Sequence, residues 1–208
     1  MKAIKVLAIL SAAAALCGGL FSYSGVFNIA ADDPHWGITY KVMELTRNRS
    51  IAIRSNSLVP PDLTLDARIK SGAGNYNAMC TSCHLMPGMD ETELSLGLYP
   101  KPPNWQALAQ FDPRTSFWAI KHGIKMSGMP AWGKSMDDKY VWNMVAFLQK
   151  LPTLTPESYA AIVASSGGHQ HGGGETKAHE DHDDMPMPMP GAAPSSFEPT
   201  EEDPMAGD

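Results

Sequence analysis

Five consecutive residues, Cys80-Thr81-Ser82-Cys83-His84, carry the strongest chemical signal in the chain. Two thiols two residues apart, followed directly by an imidazole, have the spacing that attaches a c-type haem to protein. Each thiol can form a thioether with one vinyl group of the porphyrin, and the helical turn that brings both cysteines to one edge of the ring also aims the imidazole at the iron. The motif predicts one covalent haem c, linked through Cys80 and Cys83, with His84 as the proximal axial ligand.

Two other uses of paired cysteines have less support in the sequence. A structural zinc ion takes four Cys or His ligands, often from two CxxC pairs, and the one further cysteine is Cys17, in an apolar N-terminal run. A thiol–disulfide redox pair usually lies next to a βαβ pattern, and the sequence shows no such pattern. Haem attachment is therefore the favoured interpretation.

The second axial ligand is predicted in the segment Lys125-Met126-Ser127-Gly128-Met129-Pro130-Ala131-Trp132. Met129 is the candidate, because Pro130 biases it to an extended backbone and Gly128 removes a Cβ where the chain must approach the ring closely. Ligation by histidine and methionine is typical of electron transfer, whereas an open site is typical of small-molecule chemistry. The alternatives are Met126, then Met86 and Met89, and His122 for a bis-histidine site.

These segments resemble the class I monohaem cytochromes c, most closely their small periplasmic or membrane-anchored members. The resemblance spans about Asp66 to Leu151 and is carried by Gly72-x-x-x-Tyr76-x-x-x-Cys80 leading into CxxCH, by Gly128-Met129-Pro130-Ala131-Trp132, and by a final amphipathic helix with Trp142 and Phe147. It implies that Gly72 and Tyr76 lie where the first helix crosses the last. It also implies that the carbonyl of Pro87 accepts a hydrogen bond from the His84 ring. Many members have glycine after the haem histidine, where this chain has Leu85.

The periodicity predicts an all-α domain of three to four short helices around one haem, and the resemblance implies that these helices form the cytochrome c fold. A first core helix is expected over about Leu65 to Met79, and Asp112-Pro113 begins another that runs through Lys121 and ends at Gly123. The last helix is expected over Met136 to Leu151, since Val141, Met144, Val145 and Leu148 recur at i, i+3, i+4 and i+7. Residues 98–105 are too proline-rich for a helix. Trp105, Trp118 and Trp132 are expected to fill the haem crevice and exclude water.

The N-terminus is predicted to be a hydrophobic helix. Val6 to Ala31 contains no charged residue over 26 positions. As a helix this run reaches ~39 Å, more than the ~30 Å of a bilayer's hydrocarbon layer. An uncleaved membrane span is favoured, and a signal peptide cleaved after Ser24 is the alternative. A juxtamembrane helix is expected over 34–50, either on the lipid surface or packed on the domain's flank.

Four regions follow from these patterns: 1–31, a signal-anchor or signal peptide; 32–64, a juxtamembrane helix and linker; 65–152, the cytochrome c domain; and 153–208, a low-complexity tail. The formal charge of −6 comes from the last of these. Ten acidic residues and one lysine give residues 165–208 a charge of −9, which leaves about +3 for the rest by subtraction. Nucleic acid is not an expected partner, because no basic stripe with interleaved aromatics is present.

The tail after Gly167 is predicted to be disordered, since it has almost no large apolar residue to offset the entropy of ordering. Its histidines and methionines suggest labile binding of copper or another transition metal. The candidate ligands are His169, His171, His179, His182, Met185, Met187 and Met189.

The leading functional prediction is a periplasmic one-electron carrier that is not itself an enzyme and has no small-molecule substrate. Its donor and acceptor are unidentified redox proteins, and the N-terminal helix anchors it to the bacterial inner membrane; after signal cleavage it would instead be soluble. The periplasmic location follows from the resemblance, since c-type haem is joined outside the cytoplasm. The alternatives are a cytochrome subunit of a dehydrogenase or terminal oxidase, a copper-handling haem protein, and a peroxidase or gas sensor with an open sixth position.

Overall fold

The computed structural model describes residues 2–108 and 111–170 of the chain. Over these residues it contains helices and turns and no β-strand, which confirms the all-α prediction. The helices are α1 Lys2–Tyr23, α2 Gly37–Ser55, α3 Asp66–Met79, α4 Thr81–His84, α5 Glu93–Gly97, α6 Pro113–His122, α7 Asp138–Lys150 and α8 Pro156–Ala164. Short 3-10 turns lie at Trp105–Ala107, Trp132–Lys134 and Leu151–Thr153.

The helices of the domain begin and end at the residues that local chemistry favours. The Asp112 side chain accepts a hydrogen bond from the backbone N–H of Arg114, and Pro113 occupies the first position of α6. Gly123 ends α6 with a φ of 66°, a conformation that costs glycine little. Thr92 and Thr155 form capping boxes with the serine three residues on, at the start of α5 and α8.

The core of the domain is the crossing of α3 and α7. All four residues of the predicted apolar stripe on α7 are buried, from Val141 to Leu148. At the crossing, a Cβ on Gly72 would lie 2.0 Å from the backbone oxygen of Asn143. The rings of Tyr76 and Phe147 pack beside it with centroids 5.4 Å apart. The predicted placement of Gly72 and Tyr76 is therefore confirmed.

Polar groups hold the same two helices in register. Arg68 donates a hydrogen bond to the side-chain oxygen of Asn143 at 3.0 Å, and the amide nitrogen of Asn143 donates to the hydroxyl of Ser71 at 3.1 Å. Asn143 is almost fully buried, so both its donor and its acceptor need partners inside the protein. Its two bonds to α3 meet that need.

The chain beyond α7 continues on the surface of α3. Tyr159 of α8 is buried and donates from its hydroxyl to the side-chain oxygen of Asn77 at 3.0 Å. Further on, the backbone N–H of Gln170 donates to the buried side chain of Asn75 at 2.7 Å. Residues 156–170 thus cover the face of α3 that α7 leaves open.

The N-terminal part has two helices joined by a turn rich in aromatic residues. Among the described residues, the segment Ala3–Tyr23 of α1 is long enough and apolar enough to cross a membrane, by length and composition. None of it is buried. The second helix, α2, begins at Gly37 rather than at the predicted residue 34 and extends to Ser55 rather than 50. It packs against α6, which corresponds to the second of its two predicted positions, on the flank of the domain.

Gly72→Ala tests the crossing of α3 and α7. The new methyl group would collide with backbone of α7, so we expect the free energy of unfolding to fall by about 1–3 kcal/mol. Gly97→Ala is the matched control, because a Cβ on Gly97 meets nothing within 4 Å. Guanidinium unfolding followed by circular dichroism measures both. Equal stability of the two variants would show that the helices do not cross at Gly72.

Candidate haem site

The CxxCH motif forms one helical turn directly after α3. The backbone N–H of Cys80 still bonds to the carbonyl of Tyr76 at 2.9 Å, and the N–H of His84 bonds to the carbonyl of Cys80 at 2.8 Å. This turn places Cys80 at the N-cap of α4 and Cys83 and His84 at its last two positions, one turn later. Both thiols are free and partly buried. The backbone therefore presents the three groups in the arrangement that thioether attachment requires.

The surroundings of the two thiols differ from those of a redox pair. Burial raises the pKa of Cys80 to about 12 and raises the pKa of Cys83 above its usual value. Reactive cysteine pairs instead have a lowered pKa, given by a helix N-terminus or a nearby cation. The structure thus supports the preference for haem attachment over thiol–disulfide exchange.

The donors at this site do not converge on one ion. Across residues 2–108 and 111–170, no three His, Cys, Asp or Glu side chains are grouped closely enough to hold a metal ion. A structural zinc ion needs about four such ligands at bonding distance. Cys80, Cys83 and His84 therefore do not form such a group among the described residues.

The ring of His84 is oriented by a carbonyl that the sequence did not identify. Its Nδ1 lies 2.8 Å from the backbone oxygen of Pro103, and not of Pro87, so the acceptor implied by the resemblance is wrong. A carbonyl can only accept, so Nδ1 carries the proton and Nε2 keeps its lone pair for a metal. Burial lowers the pKa of His84, against a smaller opposing effect of the Pro103 hydrogen bond, and so favours the neutral imidazole that ligation needs.

Two further contacts brace the ligand loop. The ring of Trp105 lies 5.9 Å from that of His84 and 4.8 Å from that of Phe111, so one of the three expected tryptophans is next to the predicted proximal ligand. The hydroxyl of Tyr76 donates to the carbonyl of Leu85 at 2.6 Å. That bond ties the residue after the histidine to the buried centre of α3.

Leu85 has a backbone conformation that favours glycine. Its φ is 63° and its ψ is 173°, a region that residues with a Cβ rarely adopt. Many of the class I cytochromes c that the sequence resembles have glycine at this position. The structure shows the physical meaning of the departure: the turn keeps the glycine geometry, and the leucine is strained in it.

The loop that carries Met129 folds back on the end of α6. The N–H of Ile124 bonds to the carbonyl of Met129 at 3.2 Å, and the N–H of Met129 bonds to the Ser127 hydroxyl at 3.2 Å. A Cβ on Gly123 would lie 2.8 Å from the Met129 oxygen, so the loop passes too close for any other residue. Gly128 is crowded by the side chain of Leu98, 2.4 Å from an added Cβ. The neighbour for which Gly128 makes room is therefore Leu98, which the sequence did not indicate.

The alternative distal ligands have different environments. Met129 is half-buried and packs against the core, whereas Met126 is 79% exposed. His122 is exposed at the end of α6. Its ring lies 4.8 Å from that of Trp118, so these two rings contact each other at the surface. Met86 packs against the core, and Met89 lines an open cavity next to Cys83.

That cavity has a volume of about 480 Å³ and is bordered by Cys83 and His84. Its wall is polar on the far side, where Lys101 forms an ion pair with Glu91. Asp90, Ser95 and Asn104 complete that side. It opens on the histidine side of the motif and does not reach Met129. The oriented imidazole and the two unpaired thiols fit a covalently attached haem, whereas neither Cys80 nor Met129 lines this cavity.

Residues 67–148 match the family model described as cytochrome c oxidase, cbb3-type, subunit III. This part of the chain is a class I-type monohaem cytochrome c domain. The match begins in α3 and ends in α7, so it covers the helix crossing, the CxxCH turn and the methionine loop. Searches of curated proteins and of solved structures gave no match. The cytochrome c domain implies covalent haem c, a role in electron transfer and redox proteins as partners.

The metal ligands predicted in the tail are not brought together in the described part of the chain. His169 lies in that part, at the surface. The others lie outside the described residues: His171, His179, His182, Met185, Met187 and Met189. Copper binding by the tail therefore stays a prediction without structural support.

Leu85→Gly tests the strain in the ligand loop. Glycine adopts the backbone conformation of Leu85 without strain, which should stabilise the fold by about 1–3 kcal/mol. This gain should offset or exceed the free energy lost with the half-buried leucine side chain. We expect the free energy of unfolding to stay unchanged or to rise. Leu94→Gly is the matched control, because this exposed leucine lies within helix α5 and its loss should cost about 1 kcal/mol. If chemical denaturation shows Leu85→Gly to be as destabilised as Leu94→Gly, the loop is not strained.

Proposed function

We propose that this protein is a one-electron carrier attached to the outer face of the bacterial inner membrane, with His84 and Met129 as axial ligands. The observation that carries the proposal is the hydrogen bond from His84 Nδ1 to Pro103, which leaves Nε2 of a half-buried imidazole with its lone pair available for iron. An imidazole oriented in this way would move little when a bound iron changed its oxidation state. Small changes of geometry favour fast one-electron exchange.

Each part of the site has a defined task in this role. Bound haem c would supply the one-electron Fe(III)/Fe(II) couple. Cys80 and Cys83 would hold it covalently, Pro103 orients His84, and Trp105 shields the imidazole from water. Exclusion of water disfavours the extra positive charge of the ferric state and so raises the potential.

Met129 is proposed as the sixth ligand because its backbone is fixed on both sides. Its carbonyl accepts from Ile124, its N–H donates to Ser127, and its side chain packs on the core. A weak ligand such as a thioether needs this preorganisation to compete with water. Met126 has no comparable packing, since its side chain is in solvent.

The membrane location rests on α1. The apolar helix Ala3–Tyr23 is either a retained span or a signal sequence, since both have this length and composition. We propose retention, because the uncharged run continues to Ala31, beyond the usual length of a signal peptide's apolar region. The haem domain would then lie in the periplasm, where c-type haem is attached.

A second candidate function is favoured by the family match. The matching model is described as a subunit of a cbb3-type cytochrome c oxidase, so the chain would be an electron-entry subunit of a membrane oxidase. Mild solubilisation followed by affinity purification of the tagged full chain distinguishes the oxidase subunit from the independent carrier. Stoichiometric recovery of an oxygen-reducing complex supports the subunit, and recovery of the chain alone with rapid electron exchange supports the carrier.

Met129→Ala, compared with Met126→Ala, tests the proposed ligand. Loss of the sulfur should remove the weak red charge-transfer band of the ferric protein and lower the midpoint potential by on the order of 0.1 V. Carbon monoxide should then bind the ferrous protein at neutral pH. Met126→Ala should retain the band and the potential, because this side chain is exposed. The opposite pattern would identify Met126 as the ligand.

A further inference from the structure

Helix α2 has one apolar face that no part of the described protein covers. Ile38, Val42, Leu45 and Ile53 recur at i, i+4, i+7 and i+15, which places them within one stripe of a straight helix. Each of these four side chains is more than half exposed. A stripe of this length, along almost the whole helix, is uncommon on a surface that contacts only water.

The opposite face of α2 already has its partner. Met43, Arg47 and Ser50 are half-buried, Ser55 is buried, and the helix packs against α6. The stripe is therefore not the face by which α2 is held on the haem domain. The stripe lies on the side of α2 opposite that contact.

The first turn of α2 lies next to the end of the candidate membrane span. The rings of Phe21, in the last turn of α1, and Trp36, immediately before α2, have centroids 6.5 Å apart. Phe27 packs between them, 6.4 Å from Phe21 and 5.7 Å from Trp36. Tyr23 and Trp36 are both exposed there, as aromatic residues at a membrane–water boundary typically are. If α1 spans the bilayer, α2 starts at its surface.

The charges of α2 favour an anionic lipid surface over a protein groove. The helix has four basic residues and one acidic residue, Glu44, which lies off the stripe and pairs with Arg47 at 3.7 Å. By helical spacing Arg49 falls within the stripe and Lys41 at its edge. Long basic side chains of this kind can bury their aliphatic parts at the interface and keep their charges among lipid headgroups.

From these observations we infer that α2 lies in the lipid headgroup region on its Ile38–Val42–Leu45–Ile53 stripe and binds anionic phospholipid, with the haem domain held on top through α6. The same contact fixes the distance of the ligand loop from the membrane. The backbone N–H of His35 donates to the hydroxyl of Tyr99 at 3.1 Å, and Pro103, four residues further on, orients His84. The proximal side of the haem site is thereby connected to the membrane-proximal turn.

The inference rests on the proposed retention of α1, and spin-label accessibility in lipid nanodiscs tests it. The full-length haem protein with Cys17→Ser is inserted, one copy per disc, into a 3:1 mixture of phosphatidylcholine and phosphatidylglycerol, a composition of roughly the anionic character that attracts basic helices. Labels are placed at Val42→Cys or Leu45→Cys on the stripe. Ala160→Cys, an exposed site on α8, is the matched control.

We expect the stripe labels to collide severalfold more often with oxygen than with a water-soluble nickel chelate, and the Ala160 label to show the reverse. Lys41→Gln with Arg49→Gln should move the stripe labels toward water, and so should discs of phosphatidylcholine alone. Stripe labels as accessible to the nickel chelate as the control would overturn the inference. So would protection seen only after a membrane protein extract is added, which would show a protein occupant.

The mass of the mature protein separates this failure from that of the proposed function. A chain shortened at its N-terminus overturns both the anchor and the lipid contact of α2. An intact chain with a water-exposed stripe overturns the lipid contact alone. The visible spectrum of the same samples reports independently on the haem.

Discussion

The hydrogen bond between His84 and the carbonyl of Pro103 is the constraint on which the site depends. It joins the turn after α3 to an extended, proline-rich stretch that has no helical bonds of its own, so its carbonyls are free to accept. The bond fixes the imidazole tautomer and its orientation together. Tyr76 holds the next residue, Leu85, in a strained conformation at the same turn. The buried core, through Tyr76, therefore holds the loop in its conformation, although the backbone preference of Leu85 disfavours that conformation.

The helix crossing makes this imposition possible. α3 and α7 approach so closely at Gly72 that a methyl group would overlap backbone atoms, and the buried Asn143 bonds to α3 on the same face. These contacts fix the position of α3, and therefore also that of the CxxCH turn, which begins at the residue directly after it. The methionine loop is fixed in the same manner at the end of α6, where Gly123 admits the carbonyl of Met129. Two rigid helix ends thus present the two proposed ligands.

Much of this architecture could be predicted from the sequence. Apolar periodicity found α7, Asp112-Pro113 and Gly123 bounded α6, and the spacing of Gly72 and Tyr76 indicated the crossing. Pro103 could not be found, because which carbonyl meets a histidine 19 residues away depends on how an irregular loop folds back. The start of α2 at Gly37 was missed because Asp33-Pro34 resembles a helix start, while the chain there is held by aromatic contacts of Phe27, His35 and Trp36. The contact of Gln170 with Asn75 was missed because glycine-rich sequence predicts disorder whatever surface lies nearby.

The most direct test of the account is the mass of the peptide that carries Cys80 and Cys83, from full-length protein exported in a bacterium able to attach c-type haem. The account predicts the added mass of one haem on that peptide, two thiols that no longer react with alkylating agents, and an unmodified Cys17. With Cys80→Ser or Cys83→Ser, one thioether link should be lost and one kept. A peptide of unmodified mass, with both thiols free to be alkylated, would contradict the haem site and the electron-transfer function built on it.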